Sequence, residues 1–269
     1  MMCRGPPPNA RKERISMVLE VENLTKLYKN GRGAEDISFA LTRGEVLGLL
    51  GPNGSGKTTT MKAITGLVQM TRGSVRICGV DVTQKHEQAM RHTGCLIESP
   101  ALYEHMTAYQ NLKLASRFYD TVDDGRINDV LHMVEMDKYK KDKISSFSLG
   151  MRQRIGLALA LLSTPELLIL DEPANGLDIE GMVYVREVVV KAAENGAAVL
   201  ISSHLAHEIE LCATKAAIIY GGKLLNVESM EAILASSPSL EDYFLEQVAK
   251  MRAALIPNSG VEERGGHKL

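Results

Sequence analysis

Residues 51–59 read GPNGSGKTT. An apolar run, VLGLL, leads into them, and KTTTMKAITGLV, helical in its pattern, leads out. The stretch fits GxxxxGK followed by Ser or Thr, in the strand–loop–helix setting that the pattern requires. No other feature narrows the fold as much. A strand must present the loop at the end of a sheet, and a helix must return across that sheet. The glycines let backbone N–H groups turn inward around phosphate oxygens, and the helix N-terminus adds partial positive charge. Gly51, Pro52, Asn53, Gly54, Ser55, Gly56, Lys57, Thr58 and Thr59 are the candidate nucleotide contacts. Lys57 is expected to reach the β- and γ-phosphates, and the Thr58 hydroxyl to take a place on Mg²⁺. The competing reading, a glycine-rich turn with a solvated lysine, leaves the flanking strand and helix unexplained.

The remaining pattern supplies a sheet. Strand-like runs occur at 18–21, 37–41, 46–50, 74–77, 94–97, 167–170, 198–202 and 216–220. Several are continuous apolar runs rather than alternating ones, as expected of strands buried on both faces of a parallel sheet. Between the runs at 94–97 and 167–170 the pattern predicts helices over 108–119, 126–136 and 151–162. The fold class is therefore α/β, with a mixed core carrying a helical insertion.

A second chemical feature lies in LLILDEP, which puts Asp171 and Glu172 at the carboxyl end of an apolar strand. Acids there face the crevice where such sheets bind ligands. Adjacent carboxylates at a buried strand end call for a nearby cation. Asp171 can hold Mg²⁺ through water, and Glu172 can polarise a water for attack on a γ-phosphate. A helix cap or a surface turn is the other reading of this pair taken alone.

Composition narrows the partners. The chain has 269 residues, 45% hydrophobic and 24% charged, enough for a sizeable core. A net charge of -2 and the lack of tryptophan argue against a nucleic-acid binder. The most apolar run, GLALALLSTPELLIL, is broken by Ser163, Thr164, Pro165 and Glu166 and is not a bilayer span. Cys3, Cys78, Cys95 and Cys212 are scattered without a CxxC. They read as reduced, buried small hydrophobes rather than disulfides or zinc ligands. Residues 1–16, rich in proline, arginine and lysine and lacking the apolar centre of a signal peptide, read as a disordered tail. Met17 is a candidate natural start, which an intact-mass measurement on the native protein tests. Residues 258–269 read as a second tail.

With these motifs in order, the chain resembles the nucleotide-binding subunit of ABC transporters over roughly residues 19–235. FSLGMRQR resembles the family signature usually written LSGGQ, ANGLD resembles the D-loop, and ISSHLAHEIE carries His204 at the switch-histidine position. Tyr28, in LTKLYKN, sits where an aromatic stacks on adenine. The resemblance implies a P-loop NTPase core with an N-terminal antiparallel β part, an ATPase domain over 17–235 with a helical subdomain at about 99–162, and a C-terminal helical segment at 236–257. It implies ATP and Mg²⁺ as ligands, with Lys57, Glu172 and His204 catalytic and Thr58, Asp171 and Glu98 at the metal.

It further implies that Ser148, Leu149, Gly150 and Met151 meet the ATP of a second copy in a homodimer, with Asp178 in the D-loop. A separate integral-membrane permease carries the substrate, and the subunit works at the cytoplasmic face of the membrane. Alone, FSLGMRQR reads equally as a Ser-capped helix. A core histidine is the lesser reading of His204, which alone among the seven histidines follows an apolar strand into a small-residue turn. Leu149 departs from the family's usual glycine, where a side chain either crowds the nucleotide or points away. Glu98 departs from the usual glutamine. IESPALYEHMTAYQNL together with FSLGMRQR resembles the branch that exports bacitracin-like and lantibiotic peptides. A soluble regulatory ABC ATPase, uncoupled from transport, is the alternative.

Overall fold

The computed structural model describes residues 17–255. The tails expected at 1–16 and 258–269, and the last two residues of the expected C-terminal segment, lie outside the described residues. Strands β1 (Met17–Leu27), β2 (Gly33–Thr42) and β3 (Val46–Leu50) come first, then helix α1 (Lys57–Ile64). Next are β4 (Arg72–Ile77), β5 (Val80–Asp81), α2 (His86–Met90) and β6 (Thr93–Leu96). Helices α3 (Ala108–Ser116), α4 (Asp124–Met133) and α5 (Leu149–Leu161) precede β7 (Leu167–Asp171). The chain continues through α6 (Ile179–Glu194), β8 (Ala198–Ser203), α7 (Ala206–Glu210), β9 (Lys215–Tyr220) and β10 (Lys223–Ser229), then α8 (Met230–Ser236) and α9 (Leu240–Leu255).

The strands form one ten-stranded mixed sheet in the order β5-β4-β1-β2-β10-β9-β3-β8-β7-β6. Strands β5, β4, β1 and β2 pair antiparallel, whereas β9, β3, β8, β7 and β6 run parallel. The parallel strands have apolar residues on both faces because both faces are covered. Val46 and Leu50 of β3 join one buried cluster with residues of α3, α4 and α5. Leu47 and Leu49 join the other, with Met61 and Ile64 of α1 and the inner faces of β1, β2 and β4. Gly94 shows how tightly β6 seats under α5: a Cβ there would lie 1.8 Å from the Ala160 carbonyl oxygen.

The helices differ from expectation at their ends, and caps explain why. Asp123 accepts from the Arg126 N–H and starts α4 at Asp124; Ser148 accepts from the Met151 N–H and starts α5 at Leu149. Thr107 and Gln110 form a reciprocal capping box that starts α3 at the expected residue. Helix α4 closes at Met133, and Glu135 beyond it has a φ of 55°, which no helix continues through. Two strands, β5 and β10, were not expected. Leu240 and Tyr243 of α9 are buried in the same cluster as α5.

The expectation of buried cysteines holds for Cys212 only, among the described residues. Cys95 is exposed on edge strand β6, and Cys78 is half-buried in the turn after β4. No helix among the described residues is long and apolar enough to cross a membrane.

Candidate nucleotide site

Strands β3, β8 and β7 are neighbours, so their carboxyl ends bring together Gly51, His204 and Glu172 although the sequence separates them widely. The loop after β3 is shaped by backbone that a side chain would obstruct. Gly56 has a φ of 110°, and a Cβ there would lie 2.6 Å from the Gly33 carbonyl oxygen. Lys57 opens α1 and is buried; its Nζ donates to the Gly51 carbonyl at 2.7 Å and lies 3.2 Å from Glu172 Oε1. A cavity of about 310 Å³ is lined by Tyr28, Asn53, Gly56, Lys57, Thr58 and Glu172 among others.

Glu172 is held in an uncommon backbone conformation, with a φ of 47°. Its N–H donates to Ser202 Oγ at 2.9 Å, and that hydroxyl donates to Asp171 Oδ1 at 2.6 Å. His204 Nδ1 lies 2.8 Å from Glu172 Oε2. An ionised carboxylate only accepts, so Nδ1 carries the proton, and Nε2 accepts as neutral imidazole or donates as imidazolium. Glu172 thus meets Lys57 with one oxygen and His204 with the other. The pattern is one acid steered by two bases at the mouth of a phosphate loop.

Ser202 was missed from sequence; the available signal was a serine closing an otherwise apolar strand, AVLIS. Gln153 was missed as well. Its buried Nε2 donates to the Pro173 carbonyl, tying α5 to the loop after β7. Gln153 sits on the helix that the signature starts, a place where a polar side chain facing inward needs a partner.

The residues present fit the ligands implied by the motifs. Ser55 Oγ is buried with no hydrogen-bond partner, inside a loop whose N–H groups suit an anion. Asp171 is 4% exposed and has no ion-pair partner among the described residues; only Ser202 donates to its side chain. Asp171 and the Thr58 hydroxyl would offer oxygen donors, the kind Mg²⁺ takes.

The other expected residues are placed as follows. Tyr28 is 42% exposed at the cavity rim, with Lys26 Nζ 5.4 Å from its ring centre. Asp178 caps α6 by accepting from the Gly181 N–H at 2.9 Å. Ser148 caps α5, and the segment from Ser148 to Met151 does not line the phosphate-loop cavity. Leu149 does not line that cavity, and it packs on the D-loop: a Cβ on Gly176 would lie 2.9 Å from its Cδ2. Glu98 follows β6 with a φ of 60°, is 63% exposed, and pairs with Lys62 of α1 at 2.6 Å.

A phosphate loop, a strand-end acid pair and a histidine from the next strand, on a mixed sheet with a helical insertion, define a P-loop ATPase of the cassette type. The ABC transporter family model matches residues 34–175, and the chain belongs to this ATP-hydrolysing family. It is 39% identical over 245 residues to the uncharacterized ABC transporter ATP-binding protein YhcH of Bacillus subtilis (strain 168), covering 91% of this chain and 80% of that one. It is 36% identical over 231 residues to the lantibiotic transport ATP-binding protein SrtF of Streptococcus pyogenes, covering 86% and 97%. Among solved structures, an ATP-binding subunit of an ABC transporter superposes with a TM-score of 0.78 at 29% identity, covering 86% of this chain and 99% of that one.

Proposed function

We propose that this subunit hydrolyses Mg–ATP as one half of a homodimer and so drives export of a peptide antibiotic or a related drug through a separate membrane permease, at the cytoplasmic face of the membrane. The observation that carries the reading is the meeting of Lys57, Asp171, Glu172 and His204 at the carboxyl ends of β3, β7 and β8. The peptide class rests on likeness to the lantibiotic transport protein.

Each residue has a task that its position supports. Backbone N–H groups of the loop and Nζ of Lys57 hold the phosphates, and Tyr28 offers a ring to the base. Thr58 and Asp171 would hold Mg²⁺, which neutralises charge developing on the phosphate oxygens. Glu172 takes the proton of the attacking water, and His204 keeps the Glu172 side chain oriented and senses the γ-phosphate. The helices between β6 and β7, within about residues 99–162, form the arm that faces the permease. A shallow pocket there includes Tyr103 and Phe118, large aromatic side chains left exposed.

The trans arrangement is supported by surface chemistry. Leu149, in the signature, is 59% exposed, and Ile179, which opens α6 after the D-loop, is 76% exposed, two large apolar side chains left open to solvent. Ser148→Arg should leave ATP binding to the monomer within about twofold of wild type but abolish ATP-driven dimerisation. Sedimentation of Ser148→Arg combined with Glu172→Gln tests this. A stable ATP-dependent dimer from that protein would overturn the arrangement.

The role of Glu98 at the metal requires exchange of its partner. An exposed ion pair such as Glu98–Lys62 is worth about 0–1 kcal/mol, weak enough to give way to a divalent ion. Glu98→Ala should therefore raise the Mg²⁺ concentration needed for half-maximal ATPase activity and impair transport. Glu98→Gln should change the Mg²⁺ dependence and retain much of the rate. Mg²⁺ titrations and transport assays of both variants that superpose on wild type would leave Glu98 a turn residue bound to Lys62.

A further inference from the structure

At the opposite ends of β6 and β7 from the nucleotide site, three unlike donors converge. Cys78, His92 and Glu166 each offer one ligand atom, and these atoms all lie within 4.8 Å of one another. They come from distant parts of the chain: the β4–β5 turn, the residue before β6 and the residue before β7. We propose that Cys78, His92 and Glu166 form a binding site for Zn²⁺, distinct from the Mg–ATP site, that clips the antiparallel part of the sheet to the parallel part.

The backbone holds the three in register. The His92 carbonyl accepts from both the Glu166 and Leu167 N–H groups at 3.0 Å, so the starts of β6 and β7 cannot drift apart. The Cys78 N–H donates to the Val18 carbonyl at 2.8 Å, which fixes the turn against β1. Cys78 has a φ of 49°, a conformation in which glycine or asparagine is the less strained choice.

The side chains are also arranged as metal ligands are. His92 Nδ1 lies 2.8 Å from Glu166 Oε1, so a metal would take the place of the proton between them. The other Glu166 oxygen pairs with the Arg43 guanidinium, the kind of outer contact that orients a ligating carboxylate. All three residues are half-buried. Arg43 and Glu166 also border a cavity of about 730 Å³, which gives an ion a path in.

Donor chemistry selects the metal. One thiolate, one imidazole and one carboxylate suit Zn²⁺, whereas Mg²⁺ and Ca²⁺ prefer oxygen alone. Tetrahedral zinc bond lengths place such ligand atoms about 3.3–3.6 Å apart, so closure requires the 2.8 Å His92–Glu166 contact to open by roughly 0.5 Å and the Cys78 side chain to move in by at most roughly 1 Å. A water takes the fourth position.

Untagged full-length protein, stripped of metal, tests the site by Zn²⁺ titration against a competing chelator. Co²⁺ serves as a spectroscopic stand-in, and ATP binding as the check on folding. One equivalent of Zn²⁺ should bind per chain, Co²⁺ should give a thiolate charge-transfer band, and Zn²⁺ should shield Cys78 but not exposed Cys95 from alkylation. Cys78→Ser and His92→Ala should each weaken binding at least about tenfold, the smaller end of what even an outer partner of a metal ligand contributes, and Cys78→Ser should abolish the band. The proposal is overturned if wild type binds Zn²⁺ no more tightly than folded Cys78→Ser, or if Zn²⁺ leaves Cys78 alkylation unchanged. Either result would reduce the cluster to a hydrogen-bonded Glu166–His92 pair beside an indifferent thiol.

Discussion

Glu172→Gln is expected to bind ATP much as wild type does and to hydrolyse it about 10²–10⁴-fold more slowly, the usual share of a positioned general base. The substitution changes little in shape. His204 Nδ1 can still donate to an oxygen at the same place, and the backbone N–H can still reach Ser202 Oγ. What is lost is an acceptor able to take the water's proton, because an amide oxygen is far less basic than a carboxylate. ATP should then accumulate in a closed dimer, detectable by sedimentation. Single-turnover hydrolysis by the purified variant is the direct measurement, with nucleotide binding as the control for folding. Wild-type turnover would remove Glu172 from the chemistry and leave it as a tether between Lys57 and His204.

Lys57→Ala should weaken ATP binding by about 10–100-fold, corresponding to the roughly 1.5–3 kcal/mol of a hydrogen bond to a charged group. Two causes act together. The phosphates lose a buried cation, and Glu172 loses the ammonium 3.2 Å from its Oε1, an oxygen with no hydrogen-bond partner of its own. The second cause acts on the protein before nucleotide arrives, so a lower melting temperature without nucleotide should accompany the loss of affinity. Equilibrium titration with ATP and thermal unfolding without it separate the two. An unchanged dissociation constant would contradict the placement of the triphosphate on Lys57.

The strands at the centre of the sheet were legible because burial on both faces leaves a continuous apolar run, as in β3, β7 and β8. Strand β10 was not. Its sequence, KLLNVES, is half-buried with a polar Asn226 in the middle, and it is a strand because β9 offers an antiparallel edge. The two-residue β5 exists for the same tertiary reason, as a return from the turn at Cys78. Polar residues carried β1 on to Leu27 because β2 and β4 pair with it on either side.

At the nucleotide site the motifs were legible because most of the functional side chains sit next to a strand end that marks their place. Asp171, Glu172 and His204 are of this kind, and Lys57 is marked instead by the glycine loop before it and the helix it opens. Contacts made between separate elements were not. The Glu98–Lys62 pair depends on how α1 passes the end of β6, and Ser202 depends on β8 lying beside β7. The cluster of Cys78, His92 and Glu166 is the extreme case, since their spacing along the chain says nothing of their meeting.

The contact of Leu149 with the loop at Gly176 bears on timing. In the proposed dimer, Ser148 attends to the neighbour's nucleotide while Glu172 attends to its own, and the loop that follows Glu172 touches Leu149 at Gly176. A glycine at 149 would let the two slide past each other. A leucine meshes them, like the pallet and wheel of a clock escapement. When one chamber fires and its loop shifts, the side chain that must move out of the way belongs to the clamp on the other chamber. In that dimer the two hydrolysis events would be geared to each other through one branched side chain inside each subunit, a mesh that lies behind the seam rather than across it.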